Sequence, residues 1–201
     1  MKYGFIYCMG NRVMPGIYKI GMTDRAPAQR CYELSSSTSV PVPFEVLCFA
    51  QVEDPRTVEA EMHEHFAPFR VNGSREFFRL RYSEIRAEVL AYSEGFAETQ
   101  RGAEEHEREH LLNEFLNEKD ETKKARALLN AASLDGVIVR LDGDQIKVRG
   151  DLNVSTWLSG AIHMMRPALI KVLTPCPVEI EKAIKAVDQF KGAPEREDGA
   201  Q

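Results

Sequence analysis

The sequence predicts an α+β fold: a small mixed sheet flanked by helices, then a charged helical linker, then a small helix-hairpin-helix (αββα) domain. The first observation is a pair of short β-rich segments near the N-terminus, separated by Gly, Asn and Pro. The second is a charge-dense stretch with few apolar positions, and the third is an Asp-Gly turn between two alternating runs. These observations divide the chain into residues 1–92, 93–122, 123–175 and 176–201.

The first two segments are predicted to form a hairpin. Phe5–Tyr7 and Ile17–Gly21 have the composition of strands, and the Gly, Asn and Pro residues between them favour chain reversal. A helix is predicted next, because Pro27 suits a first helical turn and both Thr23 and Asp24 before it are good N-cap residues. This part of the chain is therefore expected to form strand, turn, strand and helix.

Three polar side chains of this segment are expected to meet. Alternation along the first strand sends Tyr7 to one face and Ile6 to the other. The helix that carries Arg30 folds back over the hairpin, whose second strand carries Lys19. The sequence therefore predicts a phenol, an ammonium and a guanidinium in one place.

A further strand is predicted over residues 44–50, and another helix begins near Ser83. Four arginines lie before that helix: Arg70, Arg75, Arg79 and Arg81. They could hold a phosphate backbone through weak, salt-sensitive contacts, or they could be the solvated face of a strand.

Between these two elements, Glu53-Asp54-Pro55 begins a helix. Its apolar face is predicted to carry Val58, Met62 and Phe66. Glu59 and His63 share a neighbouring face, as do Glu61 and His65. Exposed helices often carry such pairs as ion pairs, so the spacing alone leaves their role open.

An ordered set of motifs runs through residues 3–82. It consists of Ile6-Tyr7, Lys19 to Thr23 (KIG-x-T), Arg30 with Leu34, Glu59 with His63, and Glu76-Phe77-Phe78. This set resembles the phage-type branch of the GIY-YIG nuclease superfamily, in which Phe5-Ile6-Tyr7 and Lys19-Ile20-Gly21 take the places of the two tripeptides. Either tripeptide alone is weak evidence, but the ordered set is specific.

The resemblance implies a divalent-metal-dependent endonuclease that hydrolyses phosphodiester bonds in DNA. Tyr7 would be the general base or the phenolate that orients water, Arg30 would grip the scissile phosphate, and Lys19 would supply positive charge. His63 could relay a proton or position water. Glu59 matches the metal-binding glutamate of the superfamily and would hold Mg²⁺ (or Mn²⁺) together with water and substrate phosphate.

Further phosphate contacts are expected from Tyr18, Thr23, Arg75 and Glu76. Glu61 competes with Glu59 as the metal ligand. Because these two glutamates lie about 200° apart around the helix, only one of them can face the site.

The chain departs from the broader superfamily at three positions. Lys19 stands where the second tripeptide begins with tyrosine, which is normal for the phage-type branch. Met22 replaces a lysine found in many members, and Leu34 replaces a Tyr or His found in some. These departures keep an alternative open: a catalytically weak or inactive nuclease-like adaptor that binds nucleic acid or a protein partner.

Residues 93–122 are predicted to form a solvated, charged helical linker. One amphipathic stripe on it, suited to packing or dimerisation, consists of Leu111, Leu112, Phe115 and Leu116. His106 and His110 lie at i and i+4, but no Cys or third His accompanies them, so a metal role is not favoured.

The next part of the chain is predicted as a helix over 125–134, strands over 137–141 and 145–149, and one or two helices over 152–173. This order and the stretch LLNAASLDGVIVRLDGDQIKVRG resemble the small N-terminal docking domain of the TubC type. The resemblance implies docking to a protein partner or self-association through residues 123–175. A plain αββα core that extends the first domain is the alternative.

Composition sets the outer limits. The chain has 201 residues and a net charge of −5, which argues against a protein that coats DNA. No apolar run is long enough to cross a membrane, so we expect a soluble, cytoplasmic protein of a bacterial or phage-infected cell. The four cysteines include no C-x-x-C pair and are expected to be reduced. A short helix over 179–190 and a disordered tail are expected after Pro177.

Overall fold

The computed structural model of the chain describes residues 3–36, 42–150 and 156–174. Within these residues the chain forms a five-stranded antiparallel sheet, a separate two-stranded sheet and seven α-helices. The α+β class predicted from the sequence is confirmed. The predicted helix over 179–190 and the predicted tail lie outside the described residues.

The five-stranded sheet is built around the predicted hairpin. Strands β1 (Tyr3–Gly10) and β2 (Ile17–Thr23) pair antiparallel. On the other side of β1 lies β3 (Glu45–Glu53), which in turn pairs with β5 (Gly95–Glu98). The short strand β4 (Phe77–Arg79) pairs with β2, so the order across the sheet is β4-β2-β1-β3-β5.

Every pairing among the described strands is antiparallel, so the predicted mixed sheet is wrong. β2 and β3 run in the same direction, but β1 lies between them and is antiparallel to both. No two parallel strands of this sheet are therefore adjacent. β5 is absent from the sequence prediction, because residues 95–98 begin with glycine and lie in the charge-dense stretch.

The sheet carries an apolar core on each face, because alternate residues of a strand point to opposite sides. On one face, α2 (Pro55–His65) and α3 (Tyr82–Ala91) pack on side chains such as Ile6, and the predicted apolar stripe of α2 is buried there. On the other face, α1 (Pro27–Ser35) packs in a smaller cluster that contains Tyr7. The sequence pattern of β1 thus separates the two cores.

Residues 93–122 do not form the solvated linker expected from their charge. Helix α4 (Gln100–Asn117) is capped by Thr99, whose hydroxyl accepts a hydrogen bond from the Gly102 amide at 3.0 Å. A Cβ on Gly102 would overlap the carbonyl oxygen of Leu47, so glycine at this position lets α4 approach β3 closely. The helix is therefore packed onto the sheet.

The charged side of α4 is partly buried. Glu105 is only 2% exposed, and its carboxylate accepts from the Tyr18 hydroxyl at 2.6 Å, from Arg101 at 2.7 Å and from Arg108. Arg108 Nε also lies 3.9 Å from Oδ1 of Asp135, which stands beyond the next helix. This network compensates the burial of charge and links the first sheet to the C-terminal helices.

The C-terminal part forms a core of its own. Its elements are α5 (Glu121–Leu134), β6 (Ile138–Asp142), β7 (Gln145–Arg149), α6 (Thr156–Met164) and α7 (Arg166–Leu173). The predicted hairpin is present, with Gly143 at φ 57° in its turn. Pro167 stands in the first turn of α7, where the sequence predicts either a break or a helix start.

Three of the four cysteines, Cys8, Cys31 and Cys48, are free and buried, as expected, and Cys176 lies outside the described residues. None of the helices in the described ranges combines the length and the apolar character needed to cross a membrane.

Candidate active site

Tyr7 is the buried centre of the site. It lies on β1 directly opposite Gly21 on β2 and is 1% exposed. A Cβ added to Gly21 would lie 2.7 Å from the Tyr7 hydroxyl oxygen, so the Tyr7 ring uses the space that the missing side chain leaves. The same Cβ position is 3.3 Å from Oε1 of Glu59. The phenol and the carboxylate therefore meet beside Gly21.

Helix α1 brings Arg30 to the phenol. Pro27 stands in its first turn, as predicted. The Arg30 guanidinium lies close enough to the Tyr7 hydroxyl to act on it electrostatically, and it lies 3.5 Å from Oε2 of Glu33. The Arg30 side chain is 38% exposed, so it can contact a ligand from solvent and the buried phenol at the same time.

The predicted N-caps of α1 are wrong. The N-cap residue is Ala26, and no side chain caps the helix. Asp24 and Arg25 form a bend between β2 and the helix, and the Thr23 hydroxyl accepts from the Arg25 amide at 3.1 Å. Thr23, an expected phosphate contact, is thus buried and engaged in this bend.

Lys19 forms an ion pair with Glu76. The Lys19 side chain is 8% exposed, whereas that of Glu76 is 46% exposed. Strand β4 sets this geometry, because Phe77 lies opposite Lys19 in the ladder and its ring centroid is 5.9 Å from the ammonium. Glu76 therefore neutralises Lys19, whereas the sequence predicts Glu76 as a phosphate contact.

Helix α2 covers the edge of β2 beyond the end of β4. β4 pairs only with residues 17–19, and just before it the Glu76 carbonyl accepts from the Ile20 amide at 3.3 Å. The Ile20 carbonyl and the Met22 amide lie beyond the end of this pairing. His63 Nε2 lies 3.0 Å from the Ile20 carbonyl oxygen, and Glu59 Oε1 accepts from the Met22 amide at 2.9 Å. Both side chains are fixed by satisfying the polar groups of this edge.

The environment of Tyr7 favours its neutral form. Burial raises the pKa of Tyr7 above its ordinary value, and the nearby Arg30 guanidinium offsets this effect only in part. The carboxylates of Glu76 and Glu59 raise the pKa of Tyr7 further. The phenol is therefore protonated at neutral pH, and a phenolate at this position requires additional positive charge.

Glu76 is ionised at neutral pH. Burial acts to raise the pKa of Glu76, but the hydrogen bond and charge of Lys19, together with the charges of His63 and Arg30, hold it below its ordinary value. Because Glu76 also affects the pKa of Tyr7, these side chains act electrostatically as one site.

Two expected phosphate contacts lie elsewhere. Tyr18 points to the opposite face of the sheet from Lys19, where it donates to Glu105, so it is not part of the site. Arg75 is exposed in the loop before β4, and its carbonyl oxygen accepts from Nη1 of Arg70 at 3.0 Å.

The two glutamates of α2 occupy different environments. Glu59 lies beside Tyr7, whereas Glu61 is exposed and lies near Tyr92. The face of α2 that meets β2 therefore favours Glu59 as the carboxylate of the site, a choice that helical periodicity alone leaves open.

The donor set can be compared with the needs of a metal ion. The described ranges contain no group of three or more His, Cys, Asp or Glu side chains that could hold a metal ion, and His106 and His110 are part of no such group. One carboxylate, Glu59, facing a phenol oxygen fits a hard cation such as Mg²⁺, which keeps most of its ligands as water and phosphate oxygen.

Two features of the site were not predicted from the sequence. One is the close approach of Tyr7 to Gly21, for which the signal is a glycine opposite a tyrosine in a predicted hairpin. The other is Glu76 as the partner of Lys19, which depends on pairing between β2 and β4 across 57 positions of the chain.

Residues 4–93 match the family model of the T5orf172 domain, a phage-associated domain of the GIY-YIG, nuclease-like type. The matched range includes every residue of the site: Tyr7, Lys19, Gly21, Arg30, Glu59, His63 and Glu76. Comparisons with the curated proteins and with the solved structures give no match. The T5orf172 match does not reach residues 123–175, for which the docking resemblance stays a prediction.

Proposed function

We propose that the chain is a divalent-metal-dependent DNA endonuclease that hydrolyses phosphodiester bonds. The observation that carries this proposal is the meeting of the Tyr7 hydroxyl, the Arg30 guanidinium and the Glu59 carboxylate beside Gly21. The match to a nuclease-like domain supports the same reaction class. Phosphodiester hydrolysis needs an activated water, compensation of negative charge on the phosphate and help for the leaving oxygen.

Arg30 and Lys19 provide the positive charge. Arg30 is partly exposed, and its planar donors suit two phosphate oxygens at once. Lys19 lies deeper, and its charge becomes available when Glu76, the more exposed partner, turns away from it. Phosphate binding then replaces one anion beside Lys19 with another.

Tyr7 and His63 orient the water and move its proton. The Tyr7 hydroxyl, held by Arg30, accepts a hydrogen bond from the attacking water, and added positive charge lowers its pKa toward the phenolate. His63 Nε2 is occupied by the Ile20 carbonyl, so Nδ1 is the nitrogen available for proton transfer.

Glu59 is the residue that would hold Mg²⁺ or Mn²⁺. When bound there, the ion would supply positive charge that stabilises the phosphate in the transition state. Glu59 is suited to this role because the Met22 amide fixes its Oε1 beside the Tyr7 hydroxyl. Residues 123–175 are proposed to tether this domain to a protein partner or to a second copy.

Nicking of supercoiled plasmid at low salt tests the proposal, with Mg²⁺, with Mn²⁺ and with EDTA. Tyr7→Phe removes the hydroxyl at the site and is expected to lower the nicking rate by about 10²–10⁴-fold. Tyr18→Phe is the matched control, because it removes a hydroxyl on the other face of the sheet. Equal rates for the wild type and Tyr7→Phe would remove the assignment.

A second candidate is a nucleic-acid-binding or protein-binding adaptor without cleavage. It is favoured by the neutralisation of Lys19 by Glu76 and by the neutral state of the Tyr7 phenol. Gel-shift binding of DNA with no nicking under any metal condition would select this candidate, provided that circular dichroism shows a folded protein.

A further inference from the structure

A groove of about 410 Å³ lies between α4, the β1–β2 turn and α6. Its apolar walls come from the β1–β2 turn, the segment after β4, α4 and α6. The apolar side chains that line it are Pro15, Leu80, Leu112, Leu116 and Trp157. This groove is distinct from the site described above, whose residues do not line it.

The groove is open to solvent. Leu116 is 64% exposed, and Trp157 is half-buried with its ring centroid 6.0 Å from that of Phe115. Leu112 and Leu116 are one helical turn apart on α4 and form a continuous apolar ridge. Contiguous apolar surface of this kind marks a docking site for another apolar face.

The described residues end on a helix that packs against one wall of this groove. Helix α7 contacts α6, which carries Trp157 of the groove. Val172 of α7 packs against the same core cluster as Leu112 and Trp157. The residues that follow Thr174 are therefore tethered to an element that neighbours the groove.

The sequence beyond α7 contains a suitable occupant. Apolar residues recur there at helical spacing: Ile180, Ala183, Ile184, Val187 and Phe190. The charged residues of the same stretch occupy the opposite face: Glu181, Lys182, Lys185 and Asp188. Residues 178–190 would form a helix of about 20 Å, and the three residues at 175–177 can span about 10 Å.

We propose that residues 178–190 dock their apolar face into the groove. The stripe of Ile180, Ile184 and Val187 packs along the Leu112–Leu116 ridge and covers Trp157. A tethered segment competes at a high effective concentration, which favours it over a second copy of the chain. The proposal is independent of nuclease activity.

Trp157 reports on this contact directly, because it is the only tryptophan of the chain. The full-length protein with Ile184→Asp is expected to show a red-shifted emission maximum and a larger quenching constant with iodide than the wild type. Lys185→Ala, on the charged face, is the matched control and is expected to leave both quantities unchanged. Circular dichroism checks that both variants are folded.

A chain that stops after Thr174 is expected to reproduce the emission of Ile184→Asp, whereas a chain that stops after Lys191 is expected to resemble the wild type. Identical emission and quenching in the wild type, Ile184→Asp and the Thr174 truncation would overturn the proposal. A red shift of the wild-type emission on dilution would also overturn it, since the occupant would then be a second copy.

Discussion

Tyr7 and Gly21 face each other across the β1–β2 ladder, and the Tyr7 hydroxyl occupies the space that a side chain at position 21 would need. The glycine that closes the KIG motif is therefore a packing requirement of the tyrosine at the site. The same arrangement brings the phenol within reach of Arg30 and Glu59, which come from two different helices.

Gly21→Ala tests this relationship. The added methyl would lie 2.7 Å from the Tyr7 hydroxyl oxygen and 2.9 Å from its Cζ, so the ring must shift from its position at the site. We expect a loss of about 1–3 kcal/mol in the free energy of unfolding by urea and a nicking rate lower by about a hundredfold. Gly73→Ala is the control, because no atom lies within 4 Å of its Cβ position. Full activity of Gly21→Ala would contradict this account of Tyr7.

The pH dependence of nicking tests the role of Arg30. Burial raises the pKa of Tyr7, and Arg30 acts in the opposite direction, so the phenolate fraction increases with pH and Arg30 increases it at any given pH. Arg30→Gln should therefore shift the limb on which the rate rises with pH to higher pH, in addition to weakening phosphate binding. A profile with an unshifted limb would show that Tyr7 does not act through its ionisation.

The Lys19–Glu76 pair predicts a gain in binding. Glu76→Gln removes the charge that neutralises Lys19, so DNA affinity in a gel shift should increase at low salt. The slope of log K against log salt should steepen by about one phosphate contact. Glu84→Gln, which removes the ion-pair partner of the exposed Arg81, is the comparison. Unchanged affinity for Glu76→Gln would mean that Lys19 does not contact DNA.

Tyr18→Phe is expected to lower the free energy of unfolding without changing the nicking rate. The Tyr18 hydroxyl is one of the donors to the buried Glu105 carboxylate, so its loss should lower the free energy of unfolding by about 1–3 kcal/mol. The nicking rate of the folded variant should equal that of the wild type. A large loss of activity with unchanged stability would place Tyr18 in the site after all.

Much of the site was accessible to sequence reasoning because it depends on local rules. A hairpin followed by a helix places Tyr7, Lys19 and Arg30 close together, and strand alternation sets their faces. The same alternation places Tyr18, the sequence neighbour of Lys19, on the opposite face of the sheet. The expected phosphate contact of Tyr18 is therefore inconsistent with strand alternation.

The rest depends on contacts between distant residues. The charges of α4 indicated a solvated helix, but Glu105 is buried by Tyr18, which is 87 residues away in sequence, and by two arginines of its own helix. The choice between Glu59 and Glu61 depends on which face of α2 meets β2, which periodicity does not determine. Neither contact produces a pattern among neighbouring residues of the sequence, so neither could be predicted from it.

The most direct test of the central claim compares Glu59→Gln with Glu61→Gln in metal-dependent plasmid nicking. The two variants remove the same charge from the same helix, but only Glu59 lies beside Tyr7. We predict that Glu59→Gln abolishes nicking in Mg²⁺ and Mn²⁺, that Glu61→Gln cuts at the wild-type rate, and that EDTA stops both the wild type and Glu61→Gln. Wild-type cleavage by Glu59→Gln, or equal loss in both variants, would contradict the account.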